Sequence, residues 1–261
     1  MTLISTDDGA KIYCKVDGEP GKPALLLSNS LGTNLGMWDD QVPVFAEHFR
    51  IIRYDSRGHG KSSAPAGDYT MDRLGKDALA VLDAHDVNRA YYCGLSKGGM
   101  VGMWLGSNAP DRLRRAVFCN TSANPGMPEV WAERIRAVRA NGMSAVEDGI
   151  LERWFTAKFR DTAPARVDKV RQMLRTTPPQ GYAGCSAAIR DMNQEESIRT
   201  IRLPVMVVIG EFDPATPPDH GRKIHQAING SKLVEIKDAA HLTNIEQTEI
   251  YNKAVLDFLR G

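Results

Sequence analysis

The apolar run Tyr91–Tyr92–Cys93 breaks at Gly94–Leu95–Ser96–Lys97–Gly98 and resumes as a helical pattern. This G-x-S-x-G punctuation constrains the chain more than any other stretch. It requires a strand to turn so sharply into a helix that the central serine is held in a strained conformation. The flanking positions are glycine because a Cβ there would collide with the neighbouring strand or helix. The turn puts the Ser96 hydroxyl on a tip and leaves the first N–H groups of the helix free to face an oxyanion. Ser96 is therefore a candidate nucleophile as well as a helix cap.

A nucleophilic serine needs a base, and the base needs an orienting acid. On an α/β sheet these follow in the order Ser, Asp or Glu, His. Leu203–Gly210 reads as a buried strand, opened by proline and continuous in β-branched residues. It runs into Glu211–Phe212–Asp213–Pro214, a loop at the strand's carboxyl end, where such sheets place their sites. Lys232–Ile236 reads as the next strand, with His241 shortly after it. The expected roles are Ser96 as nucleophile, His241 as base and then acid, and Asp213 as the residue that fixes the imidazole tautomer, with Glu211 as the rival acid. His48, His85, His220 and His225 fall in helix-like stretches, and His59 lies in a glycine turn.

The chain has 261 residues, 42% of them hydrophobic, which suits one α/β domain with a large core. A formal charge of +1 offers no electrostatic footprint for nucleic acid or an acidic membrane. No run of roughly 18 apolar residues and no basic-then-apolar leader occurs, so neither a membrane span nor a signal peptide is expected. The four cysteines, Cys14, Cys93, Cys119 and Cys185, show no C-x-x-C spacing. The pattern suits reduced thiols in a cytoplasmic protein, with no metal site. Nucleotide-binding glycine motifs are missing, so no cofactor is expected.

The remaining pattern fits the same architecture. Lys11–Val16, Ala24–Ser28, Phe49–Tyr54 and Leu113–Cys119 read as strands, and Met71–His85, Gly98–Asn108 and Ile245–Leu259 as helices. The loop Asn29–Thr33 follows an early strand and so nominates the Leu31 amide, with that of Lys97, as the oxyanion hole. Asp55 and Arg57, in the run to Ser62, are expected to brace their loop. From Asn124 to Ile198 strand-like runs vanish and helical stretches take over: Glu129–Arg139, Ser144–Phe155 and Ala165–Leu174. The division expected is a core of 1–123 and 199–261, with 124–198 inserted as a helical lid.

These residues carry a resemblance. The chain resembles the 3-oxoadipate enol-lactonases of the α/β-hydrolase superfamily nearly end to end. The resemblance includes Ser28–Thr33, Gly94–Ser96, Asn120–Ala123, Trp131 with Arg134, Glu152–Phe155, Gly181–Cys185 with Ala187–Arg190, and Ala240–His241 with Glu246–Gln247. It implies an α/β-hydrolase fold: a mostly parallel eight-stranded sheet flanked by helices. The implied reaction is cofactor-free hydrolysis of a small lactone or ester, late in aromatic degradation. Trp131 and Trp154 would wall the acyl pocket, and Arg134 and Arg190 would hold the substrate carboxylate. A broad carboxylesterase is the alternative, and a hydrolase-fold receptor a more distant one. Lys97 departs from the family, where Leu or Met is usual. Its ammonium is expected either to reach water or to add charge beside the acyl pocket, with Glu211 as its first partner.

Overall fold

The computed structural model describes residues 2–261. Eight strands form one sheet: β1 (Thr2–Ser5), β2 (Lys11–Asp17), β3 (Ala24–Ser28), β4 (Arg50–Tyr54), β5 (Ala90–Leu95), β6 (Leu113–Cys119), β7 (Val205–Gly210) and β8 (Lys232–Ile236). Their order is β1-β2-β4-β3-β5-β6-β7-β8. Pairing is antiparallel for β1 with β2 and for β2 with β4, and parallel from β4 to β8. β7 is buried at all six positions, as a strand covered on both faces must be. Because β3 and β5–β8 are parallel, the loops that follow them emerge at one edge of the sheet.

Helices cover both faces. The short α1 (Val42–Phe45) precedes β4, α2 (Met71–Asp83) lies between β4 and β5, and α3 (Lys97–Asn108) leaves the β5 turn. α2 buries Leu74, Ala78, Val81 and Leu82 on one face, the stripe that its periodicity predicts. Between β6 and β7 come α4 (Pro128–Asn141), α5 (Glu147–Trp154), α6 (Ala157–Thr162), α7 (Pro164–Thr176) and α8 (Pro179–Asp191). α9 (Pro218–Ala227) joins β7 to β8. The carboxyl-terminal helical pattern is broken in two, α10 (Thr243–Glu246) and α11 (Thr248–Arg260), because Gln247 leaves helical geometry at φ −124°, ψ 56°.

The sequence of α8 carries a weak helical signal, since Gly181 and Gly184 lower its propensity. Packing explains both glycines. A Cβ on Gly181 would overlap the backbone of Gly58, and one on Gly184 would strike the Tyr69 ring. Hydrogen bonds secure the same junction: the Tyr69 N–H donates to Gly184 O at 3.0 Å, and Thr177 Oγ1 donates to Gly32 O at 3.1 Å. The inserted helices are thus seated on the core backbone to backbone. Gly181→Ala is expected to destabilise by about 2 kcal/mol, because backbone cannot yield to the added methyl. In an open helix the same change would stabilise by roughly 1 kcal/mol. Urea unfolding reads the sign, and a rise in midpoint would refute the tight contact.

Candidate active site

Ser96 sits at φ 58°, ψ −117°, a conformation that costs a non-glycine residue about 1–3 kcal/mol. The surroundings enforce it. Ser96 N–H donates to Cys119 O at 2.8 Å, and Ser96 O accepts from Thr121 Oγ1 at 2.7 Å. A Cβ on Gly98 would fall on Ser28 O, and one on Gly94 on Gly98 O. The strand-to-helix turn therefore closes only with glycine at both places. Behind it, β5 and β6 bring Cys93 and Cys119 to 4.0 Å between sulfurs, both within 3.2 Å of the Tyr251 hydroxyl.

Asp213 and His241 meet at the same edge. His241 Nδ1–H donates to Asp213 Oδ2 at 2.8 Å, with both side chains buried. Asn120 Nδ2 and Thr216 Oγ1 also donate to that carboxylate, at 3.0 and 2.8 Å, and the Ala215 and Thr216 amides donate to its other oxygen. Burial pushes the Asp213 carboxyl up, but His241, Asn120 and Thr216 outweigh it and hold the group below its ordinary value. Asp213 is therefore an anion that orients the imidazole with Nε2 free. Among the described residues no hydrogen bond joins Ser96 to His241, a contact that commonly tightens only when substrate arrives. The rival acid Glu211 is engaged elsewhere: its carboxylate pairs with Lys237 Nζ at 3.2 Å and accepts the Asp238 N–H.

A cavity of about 280 Å³ lies over Ser96 and His241. Leu31 lines it, and the Lys97 N–H is the first of α3, where no intrahelical acceptor exists. His59 steadies the Leu31 loop. Its Nε2 accepts the Gly32 N–H at 2.8 Å while Nδ1–H donates to Arg57 O at 3.1 Å. Burial, and then Lys97, push this ring well below the usual histidine range, so it stays neutral. Asp55 and Arg57 brace their loop: Asp55 accepts the Leu35 and Lys61 amides, and Arg57 forks onto Asp77. A larger cleft of about 480 Å³, between Ser122–Asn124, Glu195–Arg199 and α9, shares no residue with this cavity.

Trp131, Arg134 and Trp154 line the cavity. Trp154 stacks on the His241 ring at 6.0 Å, and its carbonyl accepts the His241 and Leu242 amides. Arg134 lies over the Trp131 ring at 4.7 Å, and Tyr182 lines the same cavity. Arg190 is a correction. At the end of α8 it is captured by Asp191 at 2.6 Å and by Asp68 at 3.4 Å, outside the cavity. The second cation at the site is Arg153, which the sequence reading passed over although it stands beside Trp154. Burial, with repulsion from Arg134, lowers the Arg153 pKa. Among the described residues neither Arg134 nor Arg153 has a carboxylate within 4.0 Å.

Lys97 is a second correction. Its side chain is fully buried, stays out of the cavity, and among the described residues its Nζ has no hydrogen-bond partner. Glu211 is not its partner. Burial lowers its pKa, and the nearby Cys185, Asp77 and Asp55 offset this only in part. The ammonium therefore adds no charge beside the acyl pocket. The groups that its charge acts on or feels are His59, Asp55, Asp77 and Cys185 of α8.

A family profile described as the α/β hydrolase fold matches residues 23–248. The 3-oxoadipate enol-lactonase 2 of Acinetobacter baylyi is 38% identical over 238 residues, 91% of this chain and 89% of that protein. The chain belongs to the 3-oxoadipate enol-lactonase family of α/β hydrolases. The crystal structure of the enol-lactonase from Burkholderia xenovorans LB400 superposes with a TM-score of 0.97 at 40% identity, covering 100% of both chains. A hydrolase from Pseudomonas aeruginosa PA01 does so with a TM-score of 0.97 at 44% identity, over 100% of this chain and 98% of that one. Membership in this family makes the protein a hydrolase of esters or lactones. No helix among the described residues is long and apolar enough to cross a membrane.

Proposed function

We propose that this hydrolase opens 3-oxoadipate enol-lactone by an acyl-enzyme route on Ser96, as a cytoplasmic step late in aromatic-ring degradation. The observation that carries the choice of substrate is the pair Arg134 and Arg153, two guanidiniums in one small cavity that, among the described residues, form no ion pair with a carboxylate, Glu152 acting on Arg153 only from a distance. Two like charges held together are costly until an anion joins them, so the site is built for a carboxylated substrate. In the first step Ser96 Oγ attacks the lactone carbonyl while His241 Nε2 takes its proton. The Leu31 and Lys97 amides hold the oxyanion, a donor of this kind contributing about 3 kcal/mol to the barrier. His241 then protonates the departing enolate oxygen, which stays tethered to the acyl group. Water, deprotonated by His241, releases the acid, and the enol becomes the ketone.

Steady-state kinetics on the enol-lactone test this reading. Arg153→Met and Arg134→Met are each expected to raise KM for the lactone about tenfold or more, and to change KM for a neutral p-nitrophenyl ester less than threefold. Equal changes for the two substrates would remove the carboxylate role and favour a broad carboxylesterase.

A further inference from the structure

The cavity lining is of two kinds. Arg134, Arg153 and the buried Tyr182 supply a cationic wall. Met127 and Val130 at the start of α4, with Pro214 from the Asp213 loop, supply an apolar mouth. Met127 and Val130 are 66% and 46% exposed, and Phe212, two residues before Pro214, is 55% exposed. Met127 and Val130 are two of the six large hydrophobic side chains exposed among the described residues, and both line this cavity. Pro214 and Ala215 belong to the loop that holds His241 in place, and it is His241 that hands the leaving oxygen its proton.

An enol-lactone makes no use of this mouth, because its leaving oxygen stays within the substrate. A volume of about 280 Å³ approaches the lower bound for drug-sized ligands, more than a six-carbon lactone fills. We propose that the same site hydrolyses half-esters of short dicarboxylic acids, with the free carboxylate on Arg134 and Arg153 and an apolar alcohol against Met127, Val130 and Pro214. The inference rests on the assignment of Ser96 and the cationic wall made above. Ser96 Oγ bonds to the ester carbonyl carbon and its proton passes to His241. The carbonyl–alkoxy bond breaks, and the alcohol leaves with that proton. Water then cleaves the acyl-enzyme to give the free dicarboxylate. With adipate as the acid, the acyl group has six carbons and a terminal carboxylate, the same length as the one left by the enol-lactone.

The test compares mono-n-butyl adipate, n-butyl hexanoate and monomethyl adipate with the wild-type protein, following butanol or methanol release. Enol-lactone turnover is measured in the same preparation. The half-ester should exceed butyl hexanoate in kcat/KM by tenfold or more, and monobutyl should exceed monomethyl adipate by about fivefold. Butyl hexanoate equal to the half-ester would overturn the cationic arm, and equal rates for the two half-esters the apolar arm. Either result defeats the proposal. Lactone turnover without half-ester turnover defeats it alone and leaves the lactonase reading standing. Half-ester turnover without lactone turnover upholds it and discards the lactone.

Discussion

Alanine at position 96 is expected to lower kcat by about four orders of magnitude or more, with His241→Ala close to it and the double variant no worse than either, because nucleophile and base act as one unit. Asp213→Asn should lose less, since Asn120 and Thr216 still crowd the site that orients the ring. Glycine at position 96 is more discriminating. The φ of 58° that strains serine is open to glycine, so Ser96→Gly should be inactive and yet more stable than the wild type. Circular dichroism melts alongside kinetics read both halves. A Ser96→Gly protein that melts lower, or a Ser96→Ala protein that keeps a tenth of its rate, would contradict the strained-nucleophile geometry.

Lys97→Met is expected to raise Tm by about 3 °C or more at neutral pH, where about 1 kcal/mol corresponds to 2–4 °C for a chain of this size. The ammonium is buried without a hydrogen-bond partner among the described residues, and methionine fills similar space without a charge to desolvate. The pH dependence has a definite sign. Folding lowers the pKa of Lys97 below the ordinary lysine value of 10.5, so the unfolded chain holds the extra proton throughout the interval between the two. Wild-type stability therefore climbs as pH rises through that interval and is least below it. The carboxylates nearest the amine, Asp77 and Asp55, reduce this penalty without removing it. The advantage of Lys97→Met should accordingly shrink as pH approaches 10.5. A lower Tm for the variant at neutral pH would show that the stem's contacts outweigh the buried charge.

The residues at strand ends were legible because the chain writes them in local chemistry. A buried apolar run followed by Gly-x-Ser-x-Gly, Glu-Phe-Asp-Pro or Asp-Ala-Ala-His announces a loop at a known edge of a parallel sheet. Side-chain direction on the inserted helices was not legible. Arg153 and Arg190 look alike in sequence, each near an apolar cluster, but Asp191 and Asp68 draw Arg190 outward while Arg153 is turned in beside Trp154. Only the packing of α4 on α8 and of α5 on the His241 loop decides that. Lys97 was misplaced for a related reason. The backbone angles of Ser96 decide where the next side chain points, and those angles go with the close approach of Gly98 to Ser28, which leaves no room for a Cβ, rather than with any preference of lysine. Gly181 and Gly184 read as breakers, because the Gly58 backbone and the Tyr69 ring that require them lie more than a hundred residues away.

Arg153 and Trp154 are consecutive, and that adjacency welds two tasks together. The guanidinium of the first reaches the cavity, while the carbonyl of the second carries the amides of His241 and Leu242. Two residues further on, Thr156 shares the Glu246 carboxylate with the Ala240 amide, so the imidazole proposed to carry the proton hangs from the same few peptides as the guanidinium proposed to hold the substrate's anion. A shift of a few tenths of an ångström there would reach the anion and the imidazole at once. Selectivity therefore has little freedom to drift along α5 without detuning proton transfer. It can drift far more cheaply on α4, where Arg134 leans on Trp131 instead. Relatives that accept different acids should accordingly differ first around positions 127–134, with the 153–156 stretch held nearly still.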